Sequence, residues 1–201
     1  MIVETAHPGA AGSDAIVRDY LTEVASRWYG RAATSAEVDR ALDEEPYDDL
    51  QRHSGVFLVA ADGGAVVGCA GVRFVGAVGE LTKVFTLPEH RGRGVGSALL
   101  RHVEDVCRGR GITSLRLDTR AELAEACALY ERLGFVRVPP FNDDPYSDRW
   151  YAKSLAPGSD QAMTPISRSA SPTVMRSPRS CARAQRDFTS ATASSSRPRS
   201  S

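Results

Sequence analysis

The chain has 201 residues, 42% of them hydrophobic and 25% charged, and its 25 basic and 25 acidic side chains cancel to no net charge. That is enough apolar material for one well-filled core but not for two full domains. No apolar run approaches the roughly 20 residues that span a bilayer. The polar, helix-like N-terminal stretch also lacks the charged-then-apolar order of a secretory signal, so a cytoplasmic protein with no membrane partner is expected.

In chain order, Met1-Ile2-Val3 forms a short first strand. A helix follows to Tyr29, capped by Ser13 or Asp14, with Ile16, Val17, Tyr20, Leu21, Val24 and Trp28 at helical spacing and Gly30 as its stop. Ser35-Ala36-Glu37-Val38 opens a second helix. With Ser35 as the cap, Glu37 falls one position early for a capping box. Val56 to Ala60 and Ala65 to Val72, joined through Asp62-Gly63-Gly64, make a hairpin. The apolar run Leu81 to Leu87, closed by Pro88, is its next antiparallel neighbour.

A strongly periodic helix comes next. Val95, Ala98, Leu99, His102, Val103, Val106, Cys107 and Arg110 trace one stripe, and Gly109 or Gly111 ends it. Ile112 to Leu117 is a strand with Leu115 and Leu117 on one face. A helix runs from about Ala121 to Leu133, with Gly134 as its cap. Phe135 to Val138 and Arg149 to Leu155 close the sheet. The unit from Leu81 to Leu117 is a right-handed crossover that makes its two strands parallel.

From Ala156 onward the composition changes. Seven arginines stand against Asp160 and Asp187, giving +5, while the remaining 18 basic and 23 acidic residues give −5. A Ser/Arg/Pro-rich segment with so few large apolar residues cannot offset its ordering entropy, so residues 156–201 are expected to be a disordered tail behind one domain at 1–155. Its arginines are not interleaved with aromatics and no nucleic-acid-binding pattern accompanies them, so no nucleic-acid partner is expected. Cys69, Cys107, Cys127 and Cys181 lie far apart, without the spacing of a zinc site. Reduced structural thiols and no metal are the expectation.

Between the strand and the periodic helix lies His90-Arg91-Gly92-Arg93-Gly94-Val95-Gly96-Ser97-Ala98. A glycine-rich turn that opens a helix leaves backbone N–H groups free for a phosphate. It is not a Walker loop, because Ser97-Ala98 follow Gly96 where Lys and Ser or Thr are needed. It is not a dinucleotide fingerprint either: the third glycine would fall at Ser97 or Leu99, depending on register. What remains is Arg91-x-x-Gly94-x-Gly96. With Glu80 opening the strand, Pro88 ending it, and Ala126-Cys127-Ala128-Leu129-Tyr130-Glu131-Arg132-Leu133-Gly134-Phe135 further on, the pattern resembles the GNAT N-acetyltransferase superfamily. The likeness covers about residues 14 to 155.

The resemblance implies an α/β fold, the GNAT acyl-CoA N-acyltransferase fold. This is a mixed, mostly antiparallel sheet with a splayed central parallel pair, flanked by helices. It implies acetyl-CoA as co-substrate, its pyrophosphate on the amides of Arg93, Gly94, Val95, Gly96 and Ser97, with Gly92 shaping the turn and Arg91 and Arg93 adding charge. The backbone of Phe85, Thr86 and Leu87 would pair with the pantetheine arm. Tyr130 would protonate the departing thiolate, or simply pack. Glu80 would be the base, or else pair with Lys83 or solvent. Leu123 stands where many members carry a CoA-contacting Asn or Gln. The Asp-bearing loop 139–148 would attract an ammonium or be solvated. The expected reaction is acetyl transfer to a primary amine, on a small molecule or peptide, by direct attack, from a monomer or homodimer. The alternative is a catalytically silent acyl-CoA-binding module.

Overall fold

The computed structural model describes residues 1–144 and 147–156. The expected tail, and Pro145 and Tyr146 of the Asp-bearing loop, lie outside these residues. The chain forms β1 (Ile2–Ala6), α1 (Ala11–Tyr29), α2 (Ser35–Glu44), β2 (Gly55–Asp62), β3 (Ala65–Val75), β4 (Val78–Thr86), α3 (Val95–Gly109), β5 (Ser114–Thr119), α4 (Ala124–Arg132), β6 (Val136–Arg137) and β7 (Arg149–Ser154). The strands make one seven-stranded sheet in the order β1-β2-β3-β4-β5-β7-β6. Among the described residues, β4 and β5 are the one pair that runs parallel.

Two apolar clusters cover the two faces. Val56, Leu58 and Ala60 of β2 pack with Leu99, Leu100 and Val103 of α3 and with Tyr130 of α4. Phe57 and Val59 turn the other way, onto Ile16, Val17 and Leu21 of α1 and Val38 of α2. This is why β2 is continuously apolar rather than alternating: it is covered on both sides.

Helix ends explain two departures from expectation. α1 begins after Ala10, so Ser13 and Asp14 lie inside its first turn and cap nothing in the usual sense. Asp14 instead accepts from the Gly9 amide at 3.2 Å and from the Tyr47 hydroxyl, and its charge suits the helix dipole there. α2 does carry a capping box, set one residue earlier than expected. The Thr34 hydroxyl accepts from the Glu37 amide at 3.4 Å, and the Glu37 carboxylate accepts from the Thr34 amide at 2.8 Å. Gly30 ends α1 in the left-handed conformation, as expected.

The feature that builds the site is in β4. Its parallel ladder to β5 lasts only three pairs, Val78 with Ser114, Gly79 with Leu115 and Glu80 with Arg116. Beyond Glu80 the strands part. Lys83 adopts φ +53°, and the register against β3 shifts between Cys69 and Gly71, the signature of a bulge. The bulge re-phases the strand. Before it, Gly79 faces Leu115 and Cys107 on the α3 side, whereas after it Phe85 joins the α1–α2 cluster.

Candidate active site

The parting strands leave a gap in the sheet, with Tyr130 packed on the α3–α4 face and Tyr20 on the α1–α2 face. Tyr130 projects from α4 against the rings of Phe135 (5.8 Å, edge-on) and Tyr151 (6.0 Å). Burial pushes its phenol well above the ordinary range, with smaller contributions from Cys127 and Asp118. Tyr20 comes from α1 on the opposite face, edge-on to Phe85 at 6.0 Å. Burial raises its phenol too, and Glu45, Tyr130, Cys69 and Asp118 add to the effect.

Asp118 of β5 is a further candidate, and the sequence carries a signal for it. In Leu115-Arg116-Leu117-Asp118 the leucines face the α3–α4 core, so alternation turns Arg116 and Asp118 to the α1–α2 face. Its oxygens accept from neutral donors, the Asn142 amide at 3.0 Å and the Ser147 hydroxyl at 2.5 Å. Trp150 holds Asn142 in turn, at 2.7 Å. Of the Asp-bearing loop, Asp148 is occupied by the Ala121 amide at 2.7 Å, while Asp143 is exposed.

Glu80 sits where the strands part, but its ion-pair partner is not Lys83. Arg116, its pair across the parallel ladder, binds it through both Nε (2.8 Å) and a terminal nitrogen. The same guanidinium stacks 4.5 Å above the Phe141 ring. Both bonds from Arg116 fall on Oε1, and the Glu80 side chain stays about a third (34%) exposed. Lys83 pairs instead with Glu45 at 2.8 Å.

Along the open edge of β4, the groups that face the gap differ from those expected. The Leu87 amide donates to Val67 of β3 at 3.0 Å, and its carbonyl accepts from His90 at 2.9 Å, so both are spent. Backbone groups alternate sides along a strand. Phe85, in register with Cys69, therefore points toward β3 as Leu87 does, and Val84 and Thr86 point into the gap.

The glycine loop follows a single 3-10 turn over Pro88–His90, which places His90 just ahead of the loop. Gly92 and Gly94 have φ of +73° and +85°, which demands glycine, and a Cβ on either would meet nothing within 4 Å. The space in front of the loop is open. Gly94 begins α3 without a side-chain cap, so its first-turn amides, including those of Val95, Gly96 and Ser97, face that space. Gly96 has a different role from the other two: a Cβ there would lie 2.8 Å from the Leu129 side chain, so its smallness lets α3 and α4 close up. Arg91 is already committed. It donates to the Thr86 carbonyl at 3.1 Å and to Glu23 of α1 at 2.5 Å. Arg93 is exposed. Glu23 continues through Arg27 (2.8 Å) toward Glu125 of α4 (4.0 Å), beside a cleft of about 370 Å³ lined by Arg27 and Glu122.

His102 is half-buried on α3, away from the gap. Cys69 and Cys107 are buried free thiols, and Cys127 is half-buried. Burial pushes Cys107 up to about 11 and Cys69 higher. Among the described residues no group of three or more His, Cys, Asp or Glu is placed to hold a metal, and no helix is long and apolar enough to cross a membrane.

A splayed parallel pair, an open strand edge and an uncapped glycine-started helix together define an acyl-CoA-binding fold, and known proteins agree. Residues 19–135 match the family model of the acetyltransferase (GNAT) family, and the chain belongs to that family of N-acyltransferases. It is 36% identical over 139 residues, 67% of this chain and 87% of its relative, to an IAA acetyltransferase of Azospirillum brasilense. Over 48 residues, 24% of this chain and 32% of the relative, it is 48% identical to the ribosomal protein bS18-alanine N-acetyltransferase of Escherichia coli K12. The solved PaiA N-acetyltransferase of Thermoplasma acidophilum, in complex with coenzyme A, shares the fold. Its TM-score is 0.59 at 18% identity, covering 77% of this chain and 99% of that one.

Proposed function

We propose that the protein transfers an acetyl group from acetyl-CoA to a primary amine by direct attack within the gap between β4 and β5. The observation that carries this reading is the parallel pair that parts after Glu80 beside the uncapped, glycine-started N-terminus of α3. The amides of Arg93 to Ser97 receive the pyrophosphate, helped by the α3 dipole. Because Glu23 already neutralises Arg91, the free positive charge at the loop is that of Arg93. The open-edge groups of Val84 and the amide of Thr86, whose carbonyl is held by Arg91, bond the pantetheine arm as an added strand would. An N–H there polarises the thioester carbonyl, an oxyanion interaction worth about 3 kcal/mol in comparable sites.

Asp118 takes the proton from the acceptor ammonium, directly or through water. Its two oxygens rest on neutral donors, whereas Glu80 is held in an ion pair by Arg116. Glu80 is then a positioning residue that pins the two strands together where they begin to splay. The amine nitrogen bonds to the acetyl carbon, and the carbon–sulfur bond breaks as Tyr130 donates its phenolic proton to the departing sulfur; the second proton of the nitrogen then passes to the phenolate, directly or through water, and restores the acid. A phenol raised by burial is fully protonated at neutral pH, as a general acid must be.

The test compares Asp118→Asn and Glu80→Gln in a thiol-release assay against a panel of primary amines. The Asp118 variant should lose at least about 100-fold in kcat and lose the acidic limb of the pH profile. The Glu80 variant should keep that limb. The reverse assignment would return the base to Glu80, and wild-type binding of acetyl-CoA without turnover of any amine would leave a silent acyl-CoA-binding module.

A further inference from the structure

We propose that Lys83 binds a carboxylate carried by the amine acceptor, and that Glu45 occupies that position at rest. This rests on the acetyltransferase reading. The bulge turns Lys83 onto the α1–α2 face of β4, the side from which Tyr20 and Asp118 approach the gap. There its ammonium lies 5.5 Å from the centre of the Tyr20 ring and 2.8 Å from a Glu45 oxygen.

Three properties distinguish this pair from a structural ion pair. The first is its place. Lys83 lies three residues past the point where the strands part and one before Val84, whose backbone faces the gap. The second is its cost. Lys83 holds a left-handed backbone that side chains other than glycine seldom adopt, and its side chain is only 1% exposed. Burying a charge pair in this way contributes little to stability compared with apolar side chains of the same volume. Strained backbone and buried charge gather at ligand sites.

The third property is asymmetry. Glu45 is 42% exposed and stands beyond the last residue of α2, so its carboxylate can swing into water while the ammonium cannot follow. An ammonium left behind needs another anion. Glu45 already shows which one fits: a single carboxylate at hydrogen-bonding distance, facing one positive charge. A dianionic phosphate would leave charge unmatched there. The acceptors favoured are therefore amines that also bear a carboxylate, as amino acids do.

The experiment uses the full chain with acetyl-CoA and follows thiol release for the twenty amino acids, each beside its amide and its decarboxylated amine. At least one amino acid should exceed its amide by about tenfold or more in kcat/KM, the effect of one charge-assisted hydrogen bond. Lys83→Met should abolish that preference through KM, with the calorimetric affinity for acetyl-CoA unchanged. Glu45→Gln should lower KM for the same amino acid, because the competing internal carboxylate is gone. A purely structural pair would make both variants worse, and the Glu45 variant decides the matter if Lys83→Met does not fold. Equal turnover of acids and amides, or turnover of amines but of no amino acid, overturns the proposal. Absence of acetyl-CoA binding would instead overturn the acetyltransferase reading beneath it.

Discussion

Glu104→Gln should destabilise the protein by about 2–3 kcal/mol. Glu104 is buried on α3 and divides its carboxylate between Lys153 of β7 (2.6 Å) and Arg108 (2.9 Å). Lys153 also donates to the Leu133 carbonyl at 2.6 Å, at the end of α4. The glutamate thus joins α3, the sheet and the helix that carries Tyr130. Removing one partner of a fully buried pair costs about 3–5 kcal/mol, and an exposed pair contributes about 0.2–1. Lys153 is 20% exposed and keeps its carbonyl partner, and Arg108 is 44% exposed, which places the loss below the buried range. For a folded unit of this size that is about 4–12 °C in melting temperature. Calorimetric or dichroism melts measure it directly. The double variant Glu104→Leu, Lys153→Met should recover most of the loss, since no unpaired charge remains. A Glu104→Gln shift within about 0.5 kcal/mol of wild type would refute the network's role in holding α4.

Thr34→Ala removes half of the capping box and should cost about 1 kcal/mol in a denaturant titration, with Glu37→Ala costing a similar amount. Tyr130→Phe should lower kcat by up to about 100-fold, the low end of general acid contributions, because a thiolate leaves tolerably without help. The acetyl-CoA affinity of that variant should be unchanged by calorimetry. Alkaline melts test the buried phenols and thiols. Tyr47 is raised to about 12 by burial and by Asp14, Cys107 to about 11, and Tyr20, Tyr130, Tyr151 and Cys69 are raised as well. The unfolded chain ionises these groups at lower pH than the folded one does. Stability should therefore be intact below about pH 8.5 and fall as pH rises through the thiol and then the phenol range near 10. A flat melting temperature from pH 8 to 11 would contradict this.

Local signals made much of the fold legible. The periodic stripe of α3, the glycines that stop α1 and follow α4, and the Asp62-Gly63-Gly64 turn each act over a few residues and lie where the sequence puts them. What was not legible depends on partners far apart in the chain. Nothing in Thr82-Lys83-Val84 announces a bulge, since no glycine marks it, yet that bulge decides which side chains face the acceptor. Glu80 finds Arg116 at a separation of 36 residues, a pairing set by the parallel ladder and not by any local spacing. Gly96 belongs to a glycine motif but is explained by Leu129 of another helix. Of the expected Phe85, Thr86 and Leu87, Thr86 keeps its place and Val84 joins it, because strand pairing, invisible in composition, turns Phe85 and Leu87 toward β3. Asp118 was legible from the Leu-x-Leu-x alternation alone, once β5 is known to border the gap.

The most direct test of the central claim is calorimetric titration of the full chain with acetyl-CoA, beside Gly94→Glu. That variant sets a carboxylate against the proposed phosphate position. Wild-type binding in the micromolar range, lost in a variant that still melts cooperatively, is the predicted result. No heat and no thermal shift for the wild type would contradict the account, leaving the glycine loop as a turn and the gap between β4 and β5 without its substrate.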